Sequence, residues 1–160
     1  MTGLFAMYRP RFFVALILWV VVTTLAGCSS PPVKFGLEAG SNLNPNEKNE
    51  PLPVVARVYL LADDQSFESA EFEALWKDDV TVLGDALLSR QELVLTPASE
   101  QRVEFKRRDG IKFAAVMAIF REAQGGQWRA IKPLSDGYIS RRFSKSLHVR
   151  LNGNIVEFDE

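Results

Sequence analysis

Ile111-Lys112-Phe113-Ala114-Ala115-Val116-Met117-Ala118-Ile119-Phe120-Arg121 is the stretch on which the fold turns. In an extended segment, successive side chains point to opposite faces. Here both faces are apolar: Phe113, Ala115 and Met117 share one, while Ala114, Val116 and Ala118 share the other. A strand of that kind belongs at the centre of a sheet covered on both sides. The rest of the chain must supply that cover.

Working outward, Asp109-Gly110 is a strong turn signal that predicts a hairpin to a preceding strand holding Val103 and Phe105. Before it, Leu93 and Leu95 alternate with polar neighbours and stop at Pro97. Val54 to Leu61 is a dense aliphatic and β-branched run, read as a central strand. Val33, Phe35, Leu37 and Ala39 alternate with Lys34, Gly36, Glu38 and Gly40, which predicts a half-buried strand. On the C-terminal side, Gly125-Gly126 turns into Trp128 to Lys132, Leu147, Val149 and Leu151 alternate, and Asn152-Gly153 turns into Ile155 to Phe158.

One segment breaks the β pattern. Phe72, Leu75 and Trp76 fall at helical spacing, with Ser69 as the expected N-cap and Glu71 in the first turn. Asp78-Asp79 reads as the start of a connection, and Leu83, Leu87 and Leu88 as a second short helical turn. The expectation is a mainly β domain over residues 33–160: about eight strands in two packed antiparallel sheets, with a helical insertion at about 66–88.

The first 27 residues have a different character. Arg9 and Arg11 precede Phe12 to Ala26, an uncharged run of 15 residues. A membrane-spanning helix needs roughly 20 apolar residues, so this length fits the core of a cleaved signal peptide. The run ends in Leu25-Ala26-Gly27-Cys28, and Cys28 is the chain's one cysteine. Leu-Ala-Gly-Cys resembles the lipobox of bacterial lipoproteins. That resemblance implies cleavage before Cys28, a diacylglyceryl group on its sulfur and acylation of the new amine. Residues 28–32 would then be a lipidated tether, stiffened by Pro31 and Pro32. Ser29, rather than Asp, follows the cysteine, which under the commonest enteric sorting rule favours the outer membrane.

Of 19 Lys and Arg residues, Arg9 and Arg11 lie in the leader, leaving 17 against 20 Asp and Glu, a net of −3. Phosphate neutralisation drives most nucleic-acid binding, so this balance gives DNA or RNA no evident footing. Catalytic signals are equally sparse. His148 is the only histidine and points away from the face of Leu147 and Val149. No G-x-S-x-G elbow, phosphate-binding Gly-rich loop, zinc ligand set or EF-hand loop occurs. Asp63-Asp64 and Asp78-Asp79 read as solvated helix flanks, and Trp76, Trp128 and Tyr59 as packing residues. The sequence therefore gives no catalytic residue, metal site or cofactor.

Three stretches together carry a family resemblance. The first is Asn44-Pro45-Asn46 with Pro51-Leu52-Pro53-Val54-Val55 and Arg57-Val58-Tyr59-Leu60. The second is Ser66-Phe67, Ala70, Phe72, Leu75-Trp76 and Asp78-Asp79; the third is Leu83-Gly84-Asp85, Leu87-Leu88 and Leu95-Thr96-Pro97. In order and spacing they resemble the TssJ (SciN) lipoproteins of type VI secretion systems. The resemblance implies a transthyretin-like β-sandwich with added helices. It also implies a non-enzymatic outer-membrane lipoprotein facing the periplasm, which docks the periplasmic domain of TssM within a TssJ–TssM–TssL complex. In that family the loop between the first two strands contacts TssM. The corresponding residues here are Asn42, Leu43, Asn44, Pro45, Asn46, Glu47, Lys48, Asn49 and Glu50, within a connection spanning residues 41–53. Many relatives carry a glycine in the second half of this loop, where this chain reads Glu47-Lys48-Asn49-Glu50.

Two other classes compete. A periplasmic module binding peptidoglycan, glycan or a small ligand would need a concave aromatic site, with Trp128 as a candidate. A hydrolase would need a cleft holding two acids.

Overall fold

A computed structural model describes residues 31–123, 127–134 and 146–159. Eight strands and two helices are assigned among them: β1 (Val33–Ala39), β2 (Val54–Leu61), α1 (Gln65–Ser69), α2 (Phe72–Leu83), β3 (Leu87–Leu95), β4 (Glu100–Phe105), β5 (Phe113–Ile119), β6 (Arg129–Pro133), β7 (Leu147–Asn152) and β8 (Ile155–Phe158). A 3-10 turn over Gly84–Ala86 joins α2 to β3. The strands form two four-stranded sheets, ordered β4-β1-β7-β8 and β3-β2-β5-β6.

β5 lies inside the second sheet, as its two apolar faces require. Ala114, Val116 and Ala118 join the core between the sheets, with Phe35, Leu37, Val58, Leu60 and Leu151. Ala115 and Met117 face the other way, into a second core made with Tyr59, Leu61, Phe67, Leu75 and Leu83. The helices thus cover the outer face of one sheet, and the insertion is held by burial. A fully buried Leu or Phe contributes about 1.5–3 kcal/mol, so Phe67, Leu75 and Leu83 together outweigh the weak propensity of such short helices.

The structure corrects several expectations. The sheets are not wholly antiparallel: β1 and β7 pair in parallel, with Phe35 opposite Leu147 and Ala39 opposite Leu151. These strands are far apart in sequence, so no tight turn dictates their direction. Asp109-Gly110 does form a turn, with Gly110 at φ 84°, yet no hairpin results. The turn carries the chain from β4 at the edge of one sheet to β5 inside the other; a turn signal cannot distinguish those two outcomes. Leu87 and Leu88 begin β3 rather than a helical turn, so the insertion ends at Ala86. Ser69 closes α1 instead of capping α2, which starts after Glu71 in an extended conformation. The Gly125-Gly126 turn lies outside the described residues.

Register fixes two opposite ends of the first sheet. Val33 sits opposite Phe105, so the end where β1 begins is also where β4 finishes. At the other end, the Ala39 N–H donates to the Ser99 carbonyl and the Gly40 N–H to that of Leu151, both at 2.8 Å. Residues 40–53 leave from this second end. The hairpin predicted at Asn152-Gly153 joins β7 to β8 there, with Asn152 paired to Ile155 and Gly153-Asn154 as its two-residue loop.

Candidate functional site: the loop between β1 and β2

The loop has a buried base and an exposed tip. Leu43 is fully buried, Asn44 is 5% exposed, Pro45 and Asn46 are half-buried, and Asn42 and Glu47 to Glu50 are exposed. Asn44 is the keystone. Its Nδ2 donates to the Pro53 carbonyl at 3.0 Å, and its Oδ1 accepts from the Arg121 N–H at 2.9 Å. Its own N–H donates to the Gly153 carbonyl at 2.8 Å, and the Leu52 N–H donates to Leu43 at 2.9 Å. Without these bonds the polar groups of the nearly buried Asn44 would be orphaned.

Asn46 organises the tip. Its Oδ1 accepts from the N–H groups of Lys48 (2.9 Å) and Glu50 (3.0 Å), while its Nδ2 donates to Glu50 Oε2 at 2.7 Å. This is an Asx turn closed by a side chain across the loop. Asn49 adopts φ 60° and Asn44 φ 46°. Asparagine tolerates this left-handed region better than any residue except glycine. Asn49 therefore holds a backbone conformation that otherwise favours glycine. Arg121 Nη2 pairs with Glu47 Oε1 at 2.6 Å and braces the tip from outside.

Leu43 and Asn44 were expected as contact residues, and both point inward. Side chains available to a partner belong to Asn42 and Pro45 to Glu50. Cys28, the expected lipid site, lies outside the described residues, as does the proposed leader.

A second polar cluster, which the sequence reading missed, ties the insertion to the sheet. Asp79 is 4% exposed, not the solvated flank expected. Its Oδ2 accepts from Tyr59 Oη (2.7 Å) and Arg90 Nε (2.7 Å), with Arg57 Nη1 at 3.2 Å. Arg57 Nη1 also donates to the carbonyls of Leu75 and Trp76, and its Nε to Glu92. Burial, reinforced by the bond to Asp79, pushes the Tyr59 phenol far above its ordinary range. Desolvation opposes the Arg90 charge most, but the bond to Asp79 and the attraction of Asp79, Tyr59 and Glu92 together outweigh it and raise the pKa. Asp78 breaks the helical backbone at φ −153°, and its Oδ1 accepts from the Thr81 N–H, restarting the helix one turn before its end. The Asp78-Asp79 pair thus sits inside α2 rather than beginning a connection. The signal that could have found this cluster is the period of β2: Arg57, Tyr59 and Leu61 share one face, so an arginine there needs a partner.

The rival readings find less. One groove of 610 Å³, between the edge strands β3 and β4, is lined by Arg90, Gln91, Glu104, Lys106 and Arg108 among others. Another of 410 Å³ is lined by Phe67, Glu68, Arg129, Ala130 and Ile131. Each holds one carboxylate. Trp128 meets Phe72 edge-on at 5.1 Å and carries Arg129 over its ring at 4.5 Å, so it is engaged in packing. Among the described residues, no three His, Cys, Asp or Glu are placed to hold a metal ion.

Comparison with solved structures returns the same fold. The first is described as Lip of Serratia marcescens, a membrane-bound component of the type VI secretion system. It matches with TM-score 0.74 and 23% identity, over 82% of this chain and 99% of that one. The lipoprotein TssJ1 from Pseudomonas aeruginosa matches with TM-score 0.68 and 23% identity, over 81% and 95%. A chain in the structure described as the TssM C-terminal domain (869-1107) from EAEC matches with TM-score 0.65 and 23% identity, over 81% and 98%. At these identities the likeness establishes the fold. A comparison with curated proteins gives no match. Family membership rests on the sequence itself: residues 31–154 match the profile described as "Type VI secretion lipoprotein, VasD, EvfM, TssJ". The chain belongs to the type VI secretion lipoprotein family that includes TssJ.

Proposed function

We propose that this protein is a lipid-anchored, non-enzymatic part of the secretion system's membrane complex. In this reading Cys28 holds it to the periplasmic face of the outer membrane, and the β1–β2 loop docks the periplasmic domain of TssM, itself joined to TssL. The observation that carries the reading is geometric. The loop tip leaves the sandwich at the end of β1 opposite to Val33, where the tether arrives. An anchored domain would thereby present its tip away from the bilayer.

The loop's construction suits docking. Asn46, Asn49 and the Asn44 keystone fix its shape before a partner arrives, which reduces the ordering entropy lost on binding. Anchoring restricts the domain to a surface and raises its effective concentration for a partner that reaches across the periplasm. Three acyl chains would hold it far more firmly than the single chain that gives only marginal binding.

Deleting Asn44–Glu50 tests the loop as a whole, but it removes the keystone. A cleaner variant exchanges Glu47, Lys48 and Glu50 for serine and leaves Asn44, Asn46 and Asn49 in place. Calorimetric titration with the TssM periplasmic domain should show weaker binding, with stability lowered by no more than about 1 kcal/mol because the lost Glu47–Arg121 and Glu50–Asn46 contacts are exposed; equal affinity would take the loop out of the interface. Cys28→Ser should abolish lipidation, membrane fractionation and secretion, and unaltered fractionation would contradict the anchor.

A further inference from the structure

We propose that the end of the sandwich nearest the tether is a docking surface for anionic lipid headgroups, holding the domain upright on its membrane. The proposal rests on the lipid-anchor reading and adds a second point of attachment.

Lys106-Arg107-Arg108 follows directly on Phe105, which lies opposite Val33 in the sheet. The three cations thus emerge beside the point where the chain arrives from Cys28. Lys106 and Arg108 are exposed and Arg107 is half-buried. Arg108 donates to the Leu88 carbonyl at 2.8 Å, a bond that leaves its charge uncompensated. Among the described residues, Lys106, Arg107, Arg108 and nearby Lys112 make no ion pair, whereas Lys34 is neutralised by Glu104 at 3.3 Å.

Among the described residues, the acids at this end are Asp109 within the same turn, Asp159 beside the start of β7, which is paired with Arg150 at 3.1 Å, and Asp63, Asp64 and Asp85. The last three follow β2 or precede β3, so they belong to the second sheet and the insertion. Charge at the tether end is therefore divided, with the positive side on the sheet that the tether enters.

Reach makes the surface relevant. Cys28 to Val33 spans five residues, at most about 17 Å when fully extended. The basic turn is thereby confined near the headgroups, while a charge's influence decays over about 8 Å at physiological salt. Each basic residue near an anionic surface strengthens attachment about five-fold. Three such charges on a free protein would bind feebly. On an anchored one, whose effective concentration is of millimolar order, they shift the balance toward the docked state. The sandwich then stands with the β1–β2 loop farthest from the bilayer.

The test uses the full chain, lipidated in a bacterial host and reconstituted into vesicles. The lipid occupies the only native cysteine, so Asp109→Cys or Lys48→Cys gives a single labelling site. A fluorophore at position 109 should be quenched by nitroxide-headgroup lipid in phosphatidylglycerol-containing vesicles. It should be quenched less in phosphatidylcholine alone and less at high salt. A fluorophore at position 48 should be unquenched throughout. Adding Lys106→Gln and Arg107→Gln, neither of which makes a hydrogen bond among the described residues, should lower the docked-to-free ratio roughly 30-fold. Equal quenching at position 109 in the two lipids, or no change on neutralising Lys106 and Arg107, overturns the docking surface while the anchor stands. A free thiol at Cys28 in the purified chain overturns the anchor and the proposal with it.

Discussion

Across 77 residues of chain, the backbone N–H of Arg121 donates to the side-chain oxygen of Asn44 at 2.9 Å. That bond locks the base of the β1–β2 loop to the exit of β5, a strand of the opposite-facing sheet. Asn44→Ala would leave the Arg121 N–H and the Pro53 carbonyl unpaired and force alanine to φ 46°. The expected loss is about 2–4 kcal/mol, combining hydrogen bonds with backbone strain. Asn44→Gly removes the strain and should recover about 1 kcal/mol of it. Urea unfolding of both variants provides the measurement, and an Asn44→Ala protein as stable as the parent would remove the keystone role.

The tip should separate shape from stability. Asn46→Ala loses three hydrogen bonds at partly exposed positions, so the stability cost stays near 1 kcal/mol or below. Docking affinity should fall several-fold, because the tip must then be ordered on binding. Asn49→Gly keeps the left-handed residue available and should bind like the parent, whereas Asn49→Val places a β-branched residue at φ 60° and should bind worse. If all three variants bind alike, tip pre-organisation contributes nothing.

Much of this was legible in the sequence where periodicity is simple. The double apolar face of Phe113 to Ile119 gave β5 its place, and Leu147 to Leu151 gave β7. What failed was pairing direction and partner choice: β1 and β7 run in parallel, and the Asp109-Gly110 turn crosses between sheets. Both depend on contacts between distant segments, which local spacing does not encode. At the loop, residue types fixed the region but not the facing of each side chain. Leu43 and Asn44 turn inward because the Gly153, Pro53 and Arg121 backbones meet them there. Asp79 was misread for the same reason, since its partners come from β2 and β3.

Those partners make Asp79 the most sensitive polar position in the insertion. Asp79→Ala would leave Arg57, Arg90 and Tyr59 without their shared acceptor in a nearly buried site. Breaking such a cluster from one side typically costs about 3–5 kcal/mol. Tyr59→Phe removes one neutral donor and should cost about 1–2 kcal/mol. Because both touch the same oxygen, the double variant should be less destabilised than the two losses combined. Strict additivity in denaturant unfolding would show that Tyr59 and Asp79 do not act together.

The same phenol sets the alkaline limit. Burial and the bond to Asp79 raise the folded-state pKa of Tyr59 above its ordinary value of 10.0. The folded protein then holds this proton more tightly than the unfolded chain does. Its contribution is fully present below about pH 10 and is lost as pH rises beyond that. Unfolding free energy should therefore fall above pH 10, with a slope from this group approaching about 1.4 kcal/mol per pH unit. Tyr59→Phe has no proton to lose, so its curve should be flatter there, and the gap between the two proteins should narrow with pH. At the acid end, Asp78 is held below its ordinary range by Thr81 and Glu73 by Lys77, so their contributions fade as pH falls below the usual carboxylate range. Both side chains are exposed, which keeps their share of the acid limb small. Chemical denaturation of parent and Tyr59→Phe across pH 8–11 decides the matter: parallel curves would mean that Tyr59 ionises as freely in the fold as outside it.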